Sequence, residues 1–259
     1  MTESSTTSSP GSSPVVVVTG ANGLVGARTV AALVERGASV RAVVRRAGTA
    51  PRLPGVEEHV GDFFDPEVAE TVVQGAEAVV TTVHPMGSDL ETQQRIAVEG
   101  TPVIARAARD AGVSRLVHVS TAAVYDRSPE AGDVDEDSPL VGEDGGDYPV
   151  TKLATDRTLA EVDGLTTVLL RPPAILGAGE TSVWNTLRPA AVRDDEQARQ
   201  AHPDQTFPRV HGAGLAAVAA ELAAGRIPIG TAPATGPVAR STTALNVTGE
   251  HATQREFVY

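Results

Sequence analysis

Tyr148 and Lys152 are the pair whose types and spacing carry chemistry, in the stretch GGDYPVTKLAT at residues 145–155. Four residues apart, they share one face of a helix, one turn from each other. Lys152 is the single lysine of the chain; the other basic side chains are arginines. A phenol, with an ordinary pKa of about 10, is a poor base at neutral pH. An ammonium ~4 Å away contributes roughly 4 kcal/mol at an effective dielectric of 20. That pulls the phenol toward neutrality and makes it a usable acid and base. Arginine supplies charge but not a compact, rotatable ammonium for a tight space. Asp147 is placed to cap this helix, and Pro149 suits its first turn.

A second element lies at the start of the chain. The run Val15–Thr19 leads into TGANGLVG, with glycines at 20, 23 and 26 opening a helical pattern. In that setting glycines allow a tight turn and a close backbone approach to a pyrophosphate, which the helix N-terminus attracts. The spacing, G-x-x-G-x-x-G, differs from the G-x-G-x-x-G fingerprint. Gly20, Asn22, Gly23, Leu24, Val25 and Gly26 are the loop residues expected at a dinucleotide. After the second strand, AVVRR places Arg45 and Arg46 where a carboxylate would favour NAD. A guanidinium suits a 2′-phosphate instead, so the expected cofactor is NADP, with NAD the alternative. Asp62, in GDFFD, is placed either to meet an adenine amino group or to serve as a helix-capping or turn aspartate.

The third element is VSTAAVYD. Ligands of open α/β sheets bind beyond the carboxyl ends of strands, and Ser120 and Thr121 stand at such an end. A hydroxyl there can hold a substrate carbonyl for proton transfer or satisfy a strand-end backbone group.

The elements that must position these groups alternate along the chain. Short β-branched runs at 15–19, 38–44, 56–60, 76–83, 115–120 and 165–173 are separated by amphipathic stretches at 24–37, 66–75, 90–112 and beyond Tyr148. This alternation predicts an α/β fold, a Rossmann-type doubly wound parallel sheet over residues 14–175. Residues 1–13 read as a disordered, Ser/Thr-rich tail without the features of a secretory signal. Residues 176–259 read as a small substrate-side subdomain, broken by prolines and incomplete at its C-terminus. It includes a helix at 214–225 and a strand near ALNV.

Composition narrows the partners. A net charge of -12 without a basic tract argues against nucleic acid and anionic membranes. The chain has no cysteine, which excludes disulfides and thiolate metal sites. The histidines show no metal-ligand spacing, so no metal is expected. No apolar run is long enough to span a bilayer, and a cytoplasmic location is the default expectation. The NVT at Asn246–Thr248 matches a glycosylation pattern and is read as chance.

TGANGLVG, GDFFD, VEGTPVIARAA, HVSTAAVY, YPVTK and LLRPPAILGAG occur in the order found in one family. The chain resembles the short-chain dehydrogenase/reductase superfamily in its extended, epimerase/dehydratase-like branch, over roughly residues 15–180. The resemblance implies that Tyr148 is the catalytic acid/base. It implies that Lys152 binds the nicotinamide ribose and lowers the tyrosine pKa, and that Thr121 orients the substrate. Pro172 resembles the turn beside the nicotinamide; Phe63 and Val83 fall next to the cofactor. His84, Ala123 and Trp184 fall toward the substrate. Three positions depart from the pattern: Ala97 replaces a relay asparagine, VHGAG at 210–214 replaces VHVDD, and TTVHP closes the fourth strand.

These features lead to an NADP(H)-dependent oxidoreductase interconverting a carbonyl and an alcohol on a small or medium organic substrate. The alternative is a nucleotide-sugar epimerase or dehydratase with tightly bound NAD(P), against which the acidic linker between Asp126 and Asp147 leans by repelling a diphosphate. A non-catalytic NADP sensor is the third reading. The resemblance leaves a homodimer open as the assembly.

Overall fold

The computed structural model describes residues 13–126, 128, 132–178, 206–229, 242–249 and 251–253. The expected tail up to residue 12 and Trp184 lie outside them. Strands β1 (Val15–Thr19), β2 (Ser39–Val44), β3 (Val56–Val60), β4 (Ala78–Thr81), β5 (Arg115–Val119) and β6 (Thr166–Arg171) pair in parallel. Their order is β3-β2-β1-β4-β5-β6. From β1 the chain builds outward to β3, then returns to add β4 on the other side. The crevice at the carboxyl ends of β1 and β4 is therefore the topological switch point, where such sheets bind ligands.

The central strands are apolar along their length because helices cover both faces. In β1 the alternation is direct: Val16 and Val18 enter one core and Val17 the other. The first core lies under α1 (Leu24–Glu35) and contains Val30 and Leu33. The second lies under α2 (Pro66–Val73), α4 (Thr101–Asp110) and α5 (Asp147–Ala160), with Val73, Ile104 and Leu159.

The stretch expected as one helix over 90–112 is not continuous. It begins as α3 (Leu90–Gln93), widens into a π-helical turn over Gln94–Glu99, and resumes as α4. Pro102 explains the change: its ring crowds the preceding turn and it cannot donate to the Val98 carbonyl. The Thr158 hydroxyl lies 3.4 Å from that carbonyl and donates to it instead.

Much of the expected C-terminal subdomain returns to the main fold. Helix α6 (Gly212–Ala223) adds Leu215, Ala219 and Leu222 to the first core, and its Glu221 pairs with Arg36, the C-cap of α1, at 2.6 Å. Strand β9 (Thr242–Asn246) extends the sheet beyond β6, also in parallel. Among the described residues, β7 (Ala174–Leu176), β8 (Thr206–His211) and β10 (His251–Thr253) form a separate small sheet. The polar sequence between these segments concealed their return, because a strand pairs with whatever edge the tertiary fold presents. Among the described residues, no helix is long and apolar enough to cross a membrane.

Candidate active site

The glycine loop leaves β1 at Gly20, whose φ of +67° lies in the left-handed region that side chains rarely adopt. A Cβ there would stand 2.8 Å from both Thr82 Oγ1 and Val83 Cγ2. A Cβ on Gly26 would overlap the Gly20 carbonyl, so α1 can approach the loop this closely only with glycine. Thr82 fastens the turn from β4, donating to the Thr19 carbonyl at 2.8 Å. The start of α1 at Gly23 has no side-chain cap, which leaves its amide donors facing the crevice. This cradle fits a pyrophosphate. Asn22, Leu24 and Val25 are carried on it, half-buried or exposed.

At the end of β2, Arg45 and Arg46 are exposed, and no described residue bonds either guanidinium. Asp62 is also exposed, and the cap of α2 is Asp65, whose carboxylate accepts from the Glu67 amide at 2.9 Å. The capping alternative for Asp62 therefore falls. Phe63 turns its ring into the second core against Phe64, so only its backbone faces outward. Val83 packs at the core edge beside the glycine loop.

Helix α5 starts from Gly146, at φ 87°, and not from a capping Asp147, which is its first residue. The left-handed turn that aims the helix at the sheet needs glycine at the cap position. Lys152 is only 4% exposed, and its ammonium donates to the Val119 carbonyl at 2.8 Å. Burial pushes its pKa down from 10.5 to about 8, with Asp156 pulling it back up. Tyr148 lies one turn earlier, its ring edge-to-face with His84 at 5.0 Å between centroids. Thr121 accepts from the Ala123 amide at 3.1 Å, which fixes the hydroxyl oxygen and leaves its proton to be directed outward. Pro172 is buried beside this turn, its carbonyl accepting from the Ala122 amide at 2.8 Å.

Side chains that the sequence reading gave no role complete the site. Gln93 joins its walls: its amide oxygen accepts from Thr151 Oγ1 at 3.0 Å and meets His84 Nε2 at 3.2 Å, while its nitrogen donates to the Ser88 carbonyl. Burial, then the Lys152 charge, pushes His84 down to about 3, so it is neutral across the working range. Behind Lys152, Asp156 accepts from Arg171 at 3.2 and 3.3 Å. Arg171 in turn donates to the Tyr125 hydroxyl, which donates to Asn246 Oδ1 at 2.9 Å. Burial raises the Asp156 pKa, while Ser120, Arg171 and Lys152 oppose the rise. Asn246, the residue of the NVT pattern, is thus an internal hydrogen-bond acceptor. His118 on β5 bonds Thr81 at 2.8 Å and is held neutral by burial and by Lys152. Asp156 had a signal: it stands four residues after Lys152, as Lys152 does after Tyr148.

At VHGAG, where the family pattern has an aspartate, His211 caps α6, accepting at Nδ1 from the Ala213 amide at 3.2 Å. A family model described as NAD(P)H-binding matches residues 20–224, from the glycine loop through α6. The chain belongs to that family. The seven-stranded sheet agrees with the fold that the resemblance to the extended short-chain dehydrogenase/reductases implies. A quinoline-oxide ketoreductase of Stigmatella aurantiaca is 34% identical to this protein over 174 residues, 64% of this chain and 51% of the relative. A 3 beta-hydroxysteroid dehydrogenase/Delta 5-->4-isomerase of Mycobacterium tuberculosis is 31% identical over 236 residues, 84% of this chain and 62% of the relative. The chain thus spans between about half and two thirds of the length of these relatives. The Bordetella bronchiseptica enzyme WbmH, solved in complex with NAD+, superposes with a TM-score of 0.74 at 20% identity, over 94% of this chain and 78% of that one. That likeness concerns the fold.

Proposed function

We propose that this NAD(P)H-binding protein is a short-chain dehydrogenase/reductase, an NADP(H)-dependent oxidoreductase that interconverts a carbonyl and an alcohol on a small or medium organic substrate. The observation that carries the reading is the buried Lys152 ammonium, anchored on Val119 O at the carboxyl end of β5, one turn from Tyr148. A buried ammonium one helical turn from a phenol, at the crevice end of a strand, is the arrangement that tunes a phenol for proton transfer. The ketoreductase and hydroxysteroid dehydrogenase relatives support a carbonyl/alcohol pair.

The cradle formed by Gly20, Gly26 and the uncapped start of α1 fits the dinucleotide, and Arg45 and Arg46 favour the form with a 2′-phosphate. The nicotinamide, when bound, supplies or receives the hydride. Tyr148 hands its phenolic proton to the carbonyl oxygen in reduction and takes it back in oxidation. The Lys152 ammonium stabilises the phenolate left behind, in a site whose low dielectric strengthens the attraction. Thr121 donates to the same oxygen and fixes the carbonyl for the transfer. His84, neutral and held by Gln93, packs on the phenol edge and limits its rotation.

The test is binding of NADPH and of NADH followed by nicotinamide fluorescence, in the wild type and in Arg45→Ala/Arg46→Ala, together with turnover on a panel of ketones. A preference for NADPH that the double variant loses, with turnover that Tyr148→Phe abolishes, is the expected result. Equal binding of the two cofactors removes the NADP assignment. Tight cofactor with no net redox turnover would favour the epimerase or dehydratase alternative.

A further inference from the structure

The loop that follows β2 is held from a neighbouring strand by one carboxylate. Glu58, opposite Ala42 in the β2–β3 ladder, reaches over the end of β2. Its Oε1 accepts from the Gly48 amide at 2.8 Å and its Oε2 from the Ala50 amide at 2.9 Å. Those bonds hold the carboxyl below its ordinary pKa, so it is a carboxylate throughout the working range. Between the two amides, Thr49 donates to the Arg46 carbonyl at 2.7 Å and lies 3.4 Å from Asn22 Nδ2 of the glycine loop. Gly48 adopts φ +76°, the left-handed conformation that lets the loop close back on Glu58. The segment carrying Arg45 and Arg46 is therefore tied to β3 by two bonds and to the pyrophosphate cradle by a third.

The geometry points to Glu58 as a specificity-determining positioning residue: it pre-shapes the 45–50 loop as a clamp for a 2′-phosphate on the adenosine ribose, without touching that phosphate. The inference rests on the NADP reading above. Its physical basis is preorganisation, since a loop already fixed in its bound shape loses less freedom when the ligand arrives. Both carboxylate oxygens are occupied by amide donors of the loop itself. Simple charge repulsion makes the opposite prediction for this residue, because removing a negative charge near a phosphate should strengthen binding. The two accounts differ in sign.

The experiment measures dissociation constants for 2′,5′-ADP and for 5′-AMP by calorimetry on the full chain, in wild type, Glu58→Ala and Glu58→Gln. The expected result is 2′,5′-ADP binding weakened about tenfold in Glu58→Ala and less in Glu58→Gln, which keeps one acceptor oxygen, with 5′-AMP unchanged within about twofold. Thermal melts of the three proteins establish that each is folded, and Glu58 is exposed enough for both variants to remain so. If wild type favours 2′,5′-ADP and Glu58→Ala keeps or improves that preference, the role of Glu58 is overturned while the NADP reading stands. If wild type does not distinguish the two nucleotides, the NADP reading falls and the clamp with it.

Discussion

Lys152 Nζ donates to the Val119 carbonyl at 2.8 Å, joining α5 to the carboxyl end of β5 inside the protein. Two consequences of that burial are opposite in sign. The ammonium that the proposed chemistry needs is present below a pKa of about 8 and is lost above it. The carbonyl reduction rate, as kcat/KM, should therefore be level near pH 7 and fall as pH rises through about 8. A rate level to pH 10 would show that the lysine charge is not required. For stability the sign reverses, because the unfolded lysine keeps its proton to about 10.4. The unfolded state binds more protons between about 8 and 10.4, so this residue's contribution to stability rises with pH across that window, by on the order of 3 kcal/mol.

Replacement of Lys152 by arginine should not restore activity. The Lys152 side chain is 4% exposed and its ammonium meets the Val119 carbonyl, whereas a guanidinium is planar and wider. We expect Lys152→Arg and Lys152→Met both to lose about 100-fold or more in kcat. Single-turnover hydride transfer with saturating cofactor checks this separately from binding.

Arg171 and Asp156 form a buried ion pair with side-chain exposures of 7% and 2%. Removing Arg171 leaves the Asp156 carboxylate buried with only Ser120 and Lys152 to oppose its desolvation. Arg171→Met should cost about 3–5 kcal/mol in urea unfolding. Adding Asp156→Asn to it should recover part of that loss, since the orphaned charge is then gone. An additive double variant would contradict the coupling.

His118 is buried and His84 half-buried, both as neutral imidazoles, with pKa values pushed below the ordinary value by desolvation. Unfolded histidines take up protons below about 6.5, while His84 in the folded protein does so only near 3. Stability should thus decline as pH falls below about 6.5. His84→Gln, which removes one of the two groups, should reduce the slope of chemical-denaturation midpoint against pH between 6.5 and 4.

Gly26→Ala tests the cradle. Its methyl group would overlap the Gly20 carbonyl, so α1 must shift away from the loop that it serves. The expected outcome is a loss of nicotinamide-fluorescence binding of at least tenfold, with the sheet preserved by circular dichroism. Unchanged affinity would mean that the loop tolerates the displacement.

The strand and helix alternation, the glycine loop and the Tyr148–Lys152 pair were legible in the sequence by itself, because each is written at short range. A period of two or 3.6 residues, a glycine where a strand meets a helix, and two groups one turn apart need no knowledge of the rest of the chain. The same short-range reading placed the cap of α5 one residue late, at Asp147, because backbone handedness at Gly146 decides it. It also read 90–112 as one helix, since the effect of Pro102 falls on the turn before it. What tertiary structure alone decided are contacts between distant positions. Thr82 fastens a loop 62 residues earlier, Gln93 bonds Thr151 across 58, and Tyr125 meets Asn246 across 121. No local pattern marks such partners, because the energy of a buried hydrogen bond depends on which surfaces the packed sheet and helices bring together. The return of β9 to the sheet edge and the hold of Glu58 on its loop belong to the same class.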